Sequence, residues 1–331
     1  MIGSIVGSWV GSLVWVIGLA FAEEEVCTAY GAPEDTVEVD TSAIPDFQAS
    51  GLAAARTEDE VYFTHDDNKG VAELYLIRGD GSFLVTQTIE GAVNEDWEDI
   101  APGPCPATVD AEHCLWIGDI GDNEKLRASI DVWVVRESTA ASATAVRCSF
   151  IYPEGKKRDA EALFVAPDGT LRIVTKDYDG AKVFSAATPK CDGGAPQTLV
   201  EETEIALEER VTGAAMNPEG TAVVLRGENN KAWTWTGCTL SLNDPPTDVN
   251  LGTQPKGEAV TFANDGSLVS TSEIIKNEPF RLWRTRCEET APLTCPDKCG
   301  CGGGSALLVL LPLGALARRR RERPASSSLA S

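Results

Sequence analysis

Histidine is nearly absent from these 331 residues: His65 and His113 are the two, and no nucleophile motif accompanies either. A Ser-His-Asp hydrolase would have to depend on His65, because His113 sits in a loop bracketed by Cys105 and Cys114. Positive charge is also scarce. There are 28 lysines and arginines against 51 acids, for a formal net charge of −23, and five of the arginines crowd near the C-terminus. Such a body repels nucleic acid phosphates and anionic lipid, so neither is an expected partner. No glycine-rich phosphate loop follows a strand and opens a helix; the dense glycine run, Gly300 to Gly304, belongs to a terminal segment. No two cysteines of the body are spaced like a zinc knuckle.

What is present is a repeat. A small or acidic pair followed by an apolar run recurs around Gly51, Glu98, Glu161, Gly213 and Glu258, at intervals of 47, 63, 52 and 45 residues. Propeller blades, four-stranded sheets of ~40 to 50 residues, repeat at that period. Three units continue with the same turn, Asp168-Gly169, Glu219-Gly220 and Asp265-Gly266, in which glycine supplies the positive φ of a tight hairpin. Third strands with a bulky or aromatic residue follow, such as Val132-Trp133-Val134-Val135 and Ala232-Trp233-Thr234-Trp235. Fourth strands are legible at 84–89, 146–150 and 197–200. The fifth unit stops after its third strand, and the early run Thr36 to Asp40 is the expected partner that closes the ring and removes an exposed edge. The reading is therefore an all-β, five-bladed β-propeller closed by an N-terminal strand. Six blades is the alternative count, and a sandwich the alternative architecture.

Both ends read as addresses. Residues 1–22 are apolar and end in Ala20-Phe21-Ala22 before three glutamates, as a signal peptide does, although the basic start is missing. Export suits the cysteines, seven of which are dispersed through the ectodomain, residues 23–294, like loop staples. Cys105 with Cys114 is the expected local disulfide; Cys148 with Cys191 and Cys238 with Cys287 are further pairings that leave Cys27 over. Residues 295–331 hold a Cys/Gly patch, a short apolar stretch from Ala306 to Ala317, and the arginine cluster. About 12 apolar residues fall short of the ~20 of a stable membrane helix. This tripartite order resembles the MYXO-CTERM sorting tag of myxobacterial surface proteins. The resemblance implies processing by a membrane sorting protease and a cell-surface or outer-membrane location, anchored through the C-terminus; a simple tail anchor is the other reading.

Innermost strands point alternate residues at the axis, so Glu98, Glu161 and Glu258 are expected in one ring. Three carboxylates facing a channel suit a hard cation, and calcium is the extracellular candidate. Alternatively, each glutamate accepts a hydrogen bond from the next blade's backbone and locks the ring. The ends of the second strands add a mixed layer that includes Asp119, Lys176, Arg226 and Glu273 as candidate catalytic residues, able to hold a metal-bridged phosphate ester. The phrases Asp159-Ala160-Glu161-Ala162 and Gly257-Glu258-Ala259-Val260, followed by Ser272-Glu273, are similar to phytase-like and esterase-like propellers, a resemblance that implies calcium-dependent phosphatase activity. Two functions thus stand: an exported, calcium-stabilised binding module for a surface or matrix ligand, and a calcium-dependent phosphoesterase with its site at the axis.

Overall fold

Five sheets share a common plan in the computed structural model, which describes residues 24–42, 44, 47–273, 279–293 and 295. The signal-peptide region and all but the first residue of the C-terminal tag lie outside the described residues. The innermost strands are Ala49–Ala54, Trp97–Pro104, Ala160–Val165, Val211–Met216 and Gly257–Phe262. They touch one another in that order, and the last returns to the first. This is a five-bladed β-propeller.

In blade 1 the innermost strand is followed outward by Val61–Asp66, Glu73–Arg78 and Phe83–Glu90. Blade 2 adds His113–Asp119, Ile130–Arg136 and Val146–Ile151; blade 3 adds Leu171–Thr175, Ala181–Ala186 and Val200–Ile205. Blade 4 adds Ala222–Gly227, Lys231–Thr236 and Thr247–Asn250, and blade 5 adds Leu268–Ser272 and Arg281–Leu293. The hairpin turns follow the sequence reading. Gly169, Gly220 and Gly266 have φ of 84°, 73° and 79°, and in blade 3 the Gly169 N–H donates to the Ala166 carbonyl at 2.8 Å.

One fourth strand differs from expectation. The run 197–200 splits: Gln197–Thr198 pairs in parallel with the outer strand of blade 2, and blade 3 takes the next stretch, Val200–Ile205, as its own edge. Ser142–Thr144 covers the edge of blade 1 in the same way. Two exposed edges are thereby shielded by chain from the following blade, which limits edge-to-edge association.

Among the described residues there is no central core. The buried apolar residues form five clusters, each between two adjacent blades. Trp116 and Val132 of blade 2 meet Leu163 and Phe184 of blade 3, and Phe164 and Val183 of blade 3 meet Leu225 and Trp233 of blade 4. This explains why four of the innermost strands are buried at every residue rather than alternately: both faces of each sheet are covered by neighbours. Trp97 and Trp116 are core residues of this kind.

The fifth blade closes as the sequence implied, with a longer strand. Glu24–Glu38 pairs antiparallel with Arg281–Leu293, and Glu24 stands opposite Leu293. The far part of this ribbon has only two strands, an arrangement that is marginal in water by itself. A disulfide staples it. Cys27 bonds Cys287, which corrects the pairing of Cys287 with Cys238, because the closing strand that carries Cys27 lies directly beside the last one. Cys105–Cys114 and Cys148–Cys191 form as expected, and Cys238 is disulfide-bonded as well.

The Cys27–Cys287 link closes a loop of 260 residues, and chain entropy assigns such a closure on the order of 5 kcal/mol. The double substitution Cys27→Ser with Cys287→Ser should lower the melting temperature by roughly 10 to 20 °C, read by calorimetry, with the other disulfides intact by mass spectrometry.

Candidate cation site at the propeller axis

Every innermost strand breaks its ladder at the same place. Ala49, Trp97, Ala160, Val211 and Gly257 pair with the last residue of the second strand in their blades, Asp66, Asp119, Thr175, Gly227 and Ser272. One extra residue follows before pairing resumes, a β-bulge that re-aims the side chain it carries. The bulged residues are Ser50, Glu98, Glu161, Thr212 and Glu258. The ladder thus moves the equivalent positions in blades 1 and 4 by one residue from Gly51 and Gly213, and the repeat becomes 48, 63, 51 and 46 residues.

Glu98, Glu161 and Glu258 all line one cup of about 260 Å³ at the axis. Its lining holds six carboxylates, with Asp67, Asp96 and Glu273 completing the set, against three lysines, Lys69, Lys176 and Lys256. The three glutamates do not share one partner. Glu161 is in contact with Lys176; Glu258 lies 3.1 Å from Lys256, which also reaches Glu273 at 2.5 Å. Glu98 instead converges with Asp67 and Asp96, with ligand oxygens all within 4.8 Å of one another. Lys69 reaches Asp96 at 2.9 Å from a side chain that is 67% exposed.

Two features build this triad. Asp119 accepts the backbone N–H of Asp96 at 3.0 Å and that of Glu95 at 3.3 Å, while Arg127 braces it at 2.8 Å. Gly121 underlies the acids: a Cβ there would stand 2.2 Å from a Glu98 oxygen and 2.7 Å from Asp96. The run from Asp119 to Asn123 is therefore mainly scaffold, and Asp122 likewise accepts the N–H groups of Leu126 and Arg127.

The same ladder places the other candidates. Lys176 and Glu273 directly follow the ends of their strands, as Asp67 does in blade 1, and all three line the cup. Asp119 is itself the end of its strand and Arg226 precedes such an end, so neither lines the cup. Arg226 is fully buried and donates to the Gln254 Oε1 at 2.8 Å. His65 is also fully buried. Its Nε2 accepts the Gly51 N–H at 3.2 Å, its ring lies edge-on to Trp97, and burial lowers its pKa to about 4, so it is a neutral core residue at physiological pH.

Below the cup, Asp99 locks blades together. Its Oδ2 accepts the N–H of Leu163 at 2.9 Å and of Ala214 at 3.1 Å, and so joins blade 2 to blades 3 and 4. On the opposite side of the ring Ser50 donates to the Glu98 carbonyl at 2.7 Å, and Thr261 accepts the Ala54 N–H at 3.2 Å. Arg56 spans the far end, with Nη1 3.3 Å from Asn264 Oδ1 and Nη2 3.5 Å from the Met216 carbonyl.

Burial, then the charges of Glu161, Asp67 and Asp96, raise the Glu98 carboxyl well above its ordinary value. Desolvation followed by Asp96 and Glu273 pushes Asp67 up to about 6. Lys176 is held in its charged form by the carboxylates of Glu161, Glu258 and Glu98, which overcome its burial.

No family model and no curated protein matches this chain. Among solved structures, a luciferin-regenerating enzyme aligns with a TM-score of 0.45 and 8% identity over 79% of this chain and 98% of its own. U3-55K aligns with a TM-score of 0.35 and 14% identity over 72% and 67%.

Asp99→Ala leaves the Leu163 and Ala214 amides without their acceptor and should cost roughly 3 kcal/mol in urea unfolding, with Asp99→Asn costing less. Chelated protein should also respond to pH. Asp67 and Glu98 hold protons more tightly folded than unfolded, so folding takes up protons. Their contribution is complete below the ordinary carboxylate range and is lost as pH rises through about 6 for Asp67 and through the raised range of Glu98. Melting temperatures in EDTA should therefore fall from pH 5 to pH 8, and Glu98→Gln should flatten the slope.

Proposed function

We propose that this protein is an exported, surface-anchored binding module whose axial carboxylates hold calcium. The observation that carries the reading is the convergence of Asp67, Asp96 and Glu98 at one cup, from two backbone segments far apart in the chain, the second braced by Asp119 and Gly121. Like charges so arranged need protons or a cation to coexist. Calcium accepts oxygen ligands in loose geometry, whereas magnesium demands a near-ideal octahedron. The proposed ligand set thus keeps Glu98 and replaces Glu161 and Glu258, whose charges are met by lysines. Lys69 is the ammonium that must move aside, which its exposure makes inexpensive.

The placement of the bases favours the module over the phosphoesterase. A phosphate ester bound at the axis would need Lys176 and Arg226 to converge on it across open solvent. Lys176 is instead paired with Glu161 beneath the cup's mouth, and Arg226 lies in the body of blade 4 bonded to Gln254. Export is supported by the disulfides, which persist in oxidising compartments. Anchoring rests on the resemblance of residues 295–331 to a sorting tag.

In calorimetry of the full chain, 10 mM calcium should raise the melting temperature by roughly 3 to 10 °C relative to EDTA, assuming the ~0.1 to 1 mM affinity usual for extracellular modules. Magnesium should do less, and Glu98→Gln should abolish the shift. Absence of any calcium shift in the parent chain sinks the axial-metal idea, and chelator-sensitive phosphomonoester hydrolysis that Lys176→Ala removes would restore the enzyme. N-terminal sequencing of the exported protein should begin at Glu23.

A further inference from the structure

The cup has an apolar rim. Five large hydrophobic side chains are exposed among the described residues: Val71 at 38%, Val93 at 61%, Leu126 at 65%, Tyr178 at 79% and Val200 at 62%. Single exposed apolar residues are ordinary. Their placement here is not scattered. Val200 lies on the outer strand of blade 3, whereas each of the other four lies on a loop that supplies the cup with a lining residue: Asp67 and Lys69 for Val71, Asp96 for Val93, Asn123 for Leu126 and Lys176 for Tyr178. They mark an arc over blades 1 to 3 on the cup's face.

The rim is held in place before anything binds. Asn94 donates to the Val71 carbonyl at 2.9 Å, and the Trp97 indole donates to the Val93 carbonyl at 2.9 Å. Arg210 stacks on the Tyr178 ring at 4.4 Å from its centre, and Lys125 ties the Leu126 loop to the Tyr178 loop through Asp177 at 3.1 Å. Apolar groups fixed in this way lose little freedom on association, so their burial counts towards affinity.

Charge decides what the rim surrounds. Six carboxylates face three lysines in the cup, an excess of three. The cup already shows what it accepts: Lys176 in contact with Glu161, Lys256 between Glu258 and Glu273, and Lys69 on Asp96 are all ammonium groups seated on carboxylates. The most exposed of them, Lys69, stands where an incoming ammonium could replace it.

We propose that this face docks a polypeptide segment presenting one lysine flanked by apolar side chains, with the ammonium entering the cup beside Asp96 and Glu98 and the flanking groups covering Tyr178, Leu126 and Val93. This goes beyond the calcium reading and does not require it, since at Asp96 and Glu98 the ammonium takes the place of the cation. Volume agrees, since about 260 Å³ admits one long side chain and no folded element.

The test uses the full chain in EDTA, so that the outcome is independent of calcium. Fluorescence anisotropy would follow a blocked nine-residue peptide with a central lysine between leucines, beside a norleucine version and a version with serines in place of the leucines. Saturable binding of the first is expected, with about a tenfold loss for either change. Tyr178→Ser and Leu126→Ser should each weaken it about fivefold while leaving the melting temperature and its calcium response unchanged. Equal binding of the norleucine peptide, undiminished binding to both rim variants, or no saturable binding at all would each overturn the proposal.

Discussion

Five strands that converge on one axis leave room at a given level for a single large side chain, and Asp99 takes it. At the equivalent position the other blades carry Gly51, Ala162, Gly213 and Ala259. The fit is tight: a Cβ on Gly213 would come within 2.8 Å of the Glu258 carbonyl, and one on Gly51 within 2.6 Å of the Ile100 nitrogen. A carboxylate is suited to the remaining space because one oxygen can accept two amides from different blades at once. Burial alone raises its pKa well above the ordinary value, and the three backbone donors work against that rise. The small residues elsewhere in the ring and the acid in blade 2 are therefore one device, and neither part is useful without the other.

The layer above obeys a different constraint. There three blades place glutamate at the bulge and two place Ser50 and Thr212; the glutamates and Ser50 line the cup. Carboxylates crowded in this way raise one another's pKa, and the sheet supplies lysines from neighbouring strand ends as partial compensation. Compensation is uneven around the ring. Blades 3 and 5 have theirs in Lys176 and Lys256, whereas the lysine in ion-pair contact with the triad of blades 1 and 2 among the described residues is Lys69, which is mostly solvated. The carboxylates whose lysine partner is the most exposed thus gather on one side, at Asp67, Asp96 and Glu98, beneath the stretch of rim that carries Val71 and Val93.

Much of the fold could be read from the chain because a propeller repeats its local grammar: the turns at Gly169, Gly220 and Gly266, the bulky third strands, and the missing strand in the last blade each recur or are conspicuous by omission. What could not be read was phase. Periodicity in a strand is two residues, so a bulge of one residue reverses every inference about direction. Aligning Gly51 and Gly213 with Glu98 is off by one residue for this reason, and Asp119 and Arg226 stand one and two residues short of the position equivalent to Lys176. The charge pattern gave no sign of which glutamate would find a lysine, since Lys176 is 15 residues from Glu161 along the chain and the pairing arises only when strands are laid side by side. The Cys27 pairing was hidden likewise, because it depends on the register of a strand at one end of the chain against a strand at the other.

That register also orients the molecule. The innermost strand of blade 5 starts at the cup with Gly257 and Glu258 and runs away from it to Phe262, which pairs with Leu268. Leu268 in turn pairs with Thr285 on the last strand, so the rest of that strand, up to Leu293, continues beyond the end of the blade remote from the cup. Glu24 and Leu293 are paired there, side by side, with Cys27–Cys287 between them and the blade. The chain therefore enters and leaves the propeller at the end opposite its cup.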